Sequence, residues 1–112
     1  MQITERREGN VLILAIDGKL DNANSDHFRE YALNHIRDGI NALIIDFSKT
    51  TYVASMGIRA LFIPAQELTR TKGRMVLCGL NKEVENLFLI GGLLDLFPAF
   101  PTVDAALADR GW

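Results

Sequence analysis

Three short apolar runs limit most sharply what this chain can fold into: "VLILAI" (residues 11–16), "ALII" (42–45) and "MVLC" (75–78). All are rich in strand formers, and the second is continuous rather than alternating, as expected of a strand covered on both faces. None approaches the ~20 residues needed to cross a bilayer. Between the first two runs the period changes: Phe28, Ala32 and Ile36 recur every four residues, while Arg29, Glu30 and Arg37 lie off that stripe. With Asn24 or Ser25 as cap, Asp26 at the positive end and Gly39 as stop, this predicts a helix. A second helix is predicted after Ser55, where Ile58, Leu61, Phe62, Ala65 and Leu68 fall at three- and four-residue spacings and "TKG" closes the pattern. Pro64 inside it predicts a kink, because proline removes a helical hydrogen bond.

The flanks complete the pattern. Residues 2–7 and the first apolar run enclose Gly9-Asn10, which predicts an opening hairpin. "NKEVENLFLIGG" predicts a short helix with Val84, Leu87 and Phe88 inward, "LDLF" a marginal strand, and "PTVDAALADRG" a final helix with Thr102 as N-cap and Ala105 at N3. Strands alternating with helices behind an opening hairpin predict an α/β fold: a mixed sheet of four to five strands flanked by about four helices. At 112 residues the chain is expected to form one domain, residues 1–112.

Several function classes are excluded. Lys and Arg total 12 against 14 Asp and Glu, a formal net charge of -2, so no global electrostatic footprint for nucleic acid exists. Cys78 has no partner for a disulfide, and its apolar run predicts a buried thiol in a reducing compartment. His27 and His35 both fall on the first helix without metal-ligand spacing, so no metal is expected. No glycine-rich phosphate loop is present, and no cofactor is expected. Serine-dependent catalysis would need a base beside Ser55, and none is placed there, so the chain reads as a non-enzyme. With neither a signal peptide nor a spanning segment, a cytoplasmic protein without direct membrane insertion is expected.

The remaining polar signals converge on one edge. Asp21 ends "GKLD" and Asp46 ends "ALIID". Parallel strands would carry both to the carboxyl edge, where open α/β sheets place their sites, so both are expected to cluster with Ser55. Each carboxylate equally suits a turn that it closes through its own backbone. Ser55 follows a hydroxyl-rich turn and precedes a helix, and it reads either as a cap or as a hydroxyl exposed for chemistry. On the outer side of that helix, Met56, Ala60 and Ile63 form an apolar strip beside Arg59, which a partner could dock against.

Taken together, "GKLDNANSDHFREYAL", "ALIIDFSKTTYVASMGIRALF" and "VLCGLNKEVENLFLIGGLLDLFPAFPTVDAALA" resemble the STAS domain over nearly the whole chain. This is the SpoIIAA-like fold of bacterial anti-sigma factor antagonists and of sulfate-transporter tails. The resemblance implies partner switching. The unphosphorylated antagonist binds an anti-sigma factor, often itself a serine kinase; phosphorylation at the start of the second helix breaks the contact, and a serine phosphatase resets it. The family loop commonly reads Asp-Ser-Ser-Gly or Ser-Ser-Ala-Gly. Here Ala54-Ser55-Met56-Gly57 places Ser55 in the acceptor column of the second form and Met56 in that of the first. Ser55 is therefore the expected phosphoacceptor, with Asp21 and Asp46 as nearby acids and Met56, Arg59, Ala60 and Ile63 as the partner-binding surface. The alternative within the fold is a non-phosphorylated STAS subunit of another complex, such as a lipid transporter or a signalling assembly.

Overall fold

A computed structural model describes residues 1–112. The opening hairpin is β1 (Gln2–Glu8) and β2 (Val11–Leu20), paired antiparallel with Ile3 opposite Ile16. Gly9, at φ 61°, makes the turn that a side chain would disfavour. Every other pairing is parallel. Helix α1 (Ser25–Arg37) returns the chain to β3 (Ala42–Asp46), which lies beside the first half of β2 with Leu12 opposite Leu43. Next come β4 (Thr50–Val53), α2 (Ser55–Arg59), α3 (Phe62–Arg70) and β5 (Arg74–Cys78). The chain closes with α4 (Lys82–Ile90), a 3-10 turn (Leu93–Asp95), β6 (Ala99–Phe100) and α5 (Val103–Leu107). The strand order is β1-β2-β3-β5-β6, with β4 held against the far end of β2. The mixed sheet thus has six strands, where four or five were expected.

The two faces of this sheet are covered unequally. On one, Leu12, Leu14, Leu43, Ile45, Met75 and Leu77 meet α1, α3 and α4 in a core of 19 buried residues. The other face has a core of 6, among them Ile13, Ile44, Val76 and Cys78, closed by Ala106 of α5. The alternation of side chains along each strand produces this division: Ile44 and Ile45 are neighbours in sequence but lie in different cores. Burial, and then the adjacent Asp46 carboxylate, push the Cys78 thiol up to about 12, so it stays protonated and unreactive at neutral pH. Edge strand β1 is tied to α1 by the Tyr31 hydroxyl, which donates to Glu5. No helix is long and apolar enough to cross a membrane.

Four local expectations are corrected. The "TTYV" stretch, read as a turn, is strand β4, because β2 runs past the end of β3 and offers it Gly18–Leu20 as a template. "LDLF" is not a strand: Gly92, at φ 67°, turns the chain into the 3-10 turn, and the strand comes later as β6. On α4, Val84 and Phe88 are buried while Leu87 stays exposed. The single kinked helix is two helices. Proline has no N–H for the carbonyl four residues back, so α2 stops at Arg59 and α3 restarts at Phe62. Pro64 then sits in the first turn of α3, where no intrahelical N–H bond is required.

Candidate functional site

Helix α2 lies at the far end of β2. Ala54 N–H donates to Leu20 O at 2.9 Å, which extends the β2–β4 ladder into the helix start. Gly57 then packs so closely on β2 that a Cβ there would stand 2.7 Å from Leu20 O. Only a residue without a side chain brings the helix this near the strand. The contact sets Ser55 beside the turn that begins at Asp21, so the structure brings these two together.

That turn is braced from within. Asp21 Oδ1 accepts from Ala23 N–H at 3.0 Å, and Asp21 N–H donates to Asn24 Oδ1 at 2.9 Å. Asn24 occupies the N-cap position of α1, yet its side chain reaches back to Asp21 and to Lys19 O and caps nothing. The Asp21 carboxylate therefore serves the turn and also stands at the edge of the site.

Asp46 is elsewhere. It lies opposite Ala15 on β2 and Cys78 on β5, five positions short of Leu20 along β2. At ~3.3 Å per residue that offset is about 16 Å. Its position has the parity of Ile44, which faces the small core. There it lines a depression of about 290 Å³ with Ser48, with Thr102, the N-cap of α5, and with Asp104 in its first turn. Asp46 Oδ1 accepts from Ser48 N–H at 2.9 Å, the turn-closing role weighed for it from sequence. The expected cluster of two carboxylates with Ser55 is thus reduced to one, because strand alternation and the extra length of β2 separate them.

Ser55 itself is exposed and is the first residue of α2. The N-cap is Ala54, in extended conformation, and no side chain caps the helix. The capping role weighed for Ser55 is therefore not the one it fills. Met56 is 42% exposed, Arg59 is exposed, and Ile63 is 47% exposed. Ala60 is corrected: at 4% exposure it belongs to the large core. The break between α2 and α3 changes the helical phase, turning Ala60 and Leu61 inward while Ile58 and Phe62 are only partly buried. The strip is therefore Met56 and Ile63 on separate helices, with Arg59 between them in sequence.

Sequence reading missed Tyr52, which is 52% exposed on β4 opposite Lys19. Thr50, Thr51, Tyr52 and Val53 are all strand formers, and that run was the signal that could have found it.

The comparisons with known proteins bear on the family and the fold. The STAS domain family matches residues 2–106. BtrV of Bordetella bronchiseptica, named as a candidate anti-sigma factor antagonist, is 28% identical over 108 residues, covering 96% of this chain and 93% of BtrV. The crystal structure of a candidate anti-sigma factor antagonist from Thermotoga maritima superposes with a TM-score of 0.90 at 17% identity, over 94% of this chain and 91% of that one. The Bacillus cell fate determinant SpoIIAA in its phosphorylated form gives 0.75 at 18% identity, over 95% and 96%. At these identities the two structures establish the fold, and the chain belongs to the STAS domain family.

Proposed function

We propose that this chain is the phosphorylation-controlled antagonist of a bacterial partner-switching pair, a cytoplasmic binding protein that performs no catalysis. Its partner is an anti-sigma factor that is also a serine kinase, and a serine phosphatase restores the binding form. The observation that carries this reading is Ser55: an exposed hydroxyl at the first position of α2, engaged in no cap, beside the Asp21 turn. Met56, Arg59 and Ile63 supply exposed apolar and cationic contacts around it. A phosphate at Ser55 adds about 1.5–2 negative charges. Helix α2 is only five residues long, so its dipole offsets little of that charge, and the rest faces the partner. The relatives named as anti-sigma factor antagonists, and the existence of a phosphorylated SpoIIAA, support the same reading.

The test is affinity capture with and without ATP, followed by labelled-phosphate transfer from the captured kinase to wild type and to Ser55→Ala. Label in wild type alone is the expected result. Label that persists in the variant moves the acceptor to Ser48 or Thr51, both exposed. Thr50 is unsuitable, being 4% exposed with its hydroxyl donating to Ile16 O at 2.8 Å. Ala54 and Met56 in the acceptor loop favour the second reading, a STAS subunit that is never phosphorylated. Stable capture of one complex, unaffected by ATP and without label, would establish it.

A further inference from the structure

Arg59 differs from the arginines of the longer elements. Arg29, Arg37, Arg70 and Arg74 each lie within ion-pair distance of a carboxylate. Arg59 is exposed, and no carboxylate stands within that distance of its guanidinium. The short helix itself supplies a place for its charge. Ser55 and Arg59 are the first and last residues of α2, four apart and therefore on one face. Residues so spaced have Cβ atoms about 5–6 Å from one another. Helical side chains lean toward the N-terminus, so Arg59 inclines toward Ser55 rather than away from it. An anion at Ser55 would also stand N-terminal to the cation, the favourable order on a helix.

The other nearby cations are directed elsewhere. Lys19 is exposed and precedes buried Leu20, on which Gly57 packs, so strand alternation sends Lys19 to the face of β2 away from α2. Lys49 lines a depression of about 250 Å³ with Asp17 and Asp46, together with Ile13 of the small core. Arg70 is held by Glu67. Arg59 is the one cation on the helix that carries Ser55.

We propose that a phosphate on Ser55 pairs with the Arg59 guanidinium, so that one modification both adds charge and withdraws the cation that the unmodified surface offers a partner. This inference rests on the reading of Ser55 as the phosphoacceptor. The kinase transfers the γ-phosphoryl group of ATP to Ser55 Oγ, the hydroxyl proton leaves, and ADP is released. The dianion then accepts two hydrogen bonds from the guanidinium, whose planar fork matches a pair of phosphate oxygens. Before the transfer Arg59 is free to meet a carboxylate. The partner that fits therefore carries an acid beside the apolar groups that meet Met56 and Ile63. After the transfer that acid has lost its cation and faces a dianion.

The test uses the full chain with phosphoserine incorporated at Ser55 during translation, so no cognate kinase is required. The second phosphate pKa, ordinarily about 6, is read by phosphorus NMR at low ionic strength with Arg59 intact, with Arg59→Lys and with Arg59→Gln. A neighbouring guanidinium favours the dianion. The midpoint should therefore lie lower with Arg59 intact than with Arg59→Gln, by about 0.3 or more, with Arg59→Lys between them. Arg59 is exposed, so neither variant should shift the melting temperature. Dicarbonyl modification of arginine, mapped by mass spectrometry, should label Arg59 about threefold more slowly, or slower still, once Ser55 is phosphorylated. Exposed Arg6 on β1 is the unchanged reference. Coincident midpoints for intact Arg59 and Arg59→Gln overturn the proposal, and so does an unchanged reactivity of Arg59. Failure of the captured kinase to label Ser55 would defeat the reading beneath it while the pairing is still measured, so the two failures are told apart.

Discussion

Helices α2 and α5 are both five residues long, and each begins at the carboxyl end of a strand. Helix α5 is fastened on every side. Thr102 Oγ1 accepts from Ala105 N–H at 3.0 Å, and Trp112 Nε1 donates to Ala106 O at 2.8 Å. Beyond it, Arg74 pairs with Asp109 at 2.7 Å and lies 4.9 Å from the centre of the Trp112 ring. Helix α2 has no cap, and its only fully buried residue is Gly57. A threonine hydroxyl at the N-cap is used up by the backbone, whereas a serine hydroxyl one position later stays outside. The difference of one position separates a structural hydroxyl from one available for recognition.

The largest effect that tests this contrast is expected at the glycines. Gly57→Ala places a Cβ 2.7 Å from the Leu20 carbonyl oxygen, which cannot move without disturbing the sheet. Urea denaturation should show a loss of about 1–3 kcal/mol. Gly111→Ala meets the end of the Arg74 side chain, which can swing away, so the loss there should be clearly smaller. Equal losses would mean that α2 is no more closely seated than the tail.

Next come the hydroxyls. Thr102→Ala should cost about 1 kcal/mol, the usual value of a lost cap. Ser55→Ala should stay within about 0.5 kcal/mol of wild type, as for a surface position that makes no structural bond. A Ser55→Ala loss matching that of Thr102→Ala would restore the capping role to Ser55. Conversely, Ala54→Asp supplies α2 with the cap it lacks and should raise stability by about 0.5–1 kcal/mol in the same assay.

The smallest effect is electrostatic. The Arg74 guanidinium, and then the Gly111 N–H, hold the Asp109 carboxyl below its ordinary value of 3.8. A carboxyl lowered in the folded state contributes stability that is present above its unfolded value and is lost as pH falls through the folded one. Thermal melts of wild type should therefore begin to lose this contribution near pH 3.8 and lose more below it. Asp109→Asn should show a shallower acid limb. Parallel acid limbs would show that the fastening of α5 owes nothing to this pair.

The sequence was legible where a structural cause is local. The apolar runs became β2, β3 and β5, the four-residue stripe became α1, and Thr102 with Ala105 formed the cap read from their spacing. It was illegible where the cause lies far along the chain. "TTYV" has the composition of a strand, but its partner Gly18–Leu20 is set by β2 outrunning β3, which its own residues do not announce. Asp46 ends its strand like Asp21, but pleat parity points it toward Cys78 and α5. Ala60 kept the helical spacing of an outer strip, yet Pro64 broke the helix and rotated it inward. Of the candidate site, the Ser55 loop was legible from its own residues and Asp21 from its place after the first apolar strand, whereas Asp46 and Ala60 depended on strand register and on the helix break.

The break between Arg59 and Phe62 has a consequence for how information leaves this molecule. A continuous helix can act as a lever, in which a push at its tip displaces everything along its axis. Here no unbroken hydrogen-bond ladder joins α2 to α3, so a change at Ser55 is not carried along the axis of α3. What such a segment transmits is its own altered surface. A reader of this surface must touch it directly, and a mutation that fused α2 to α3 would turn a label into a lever.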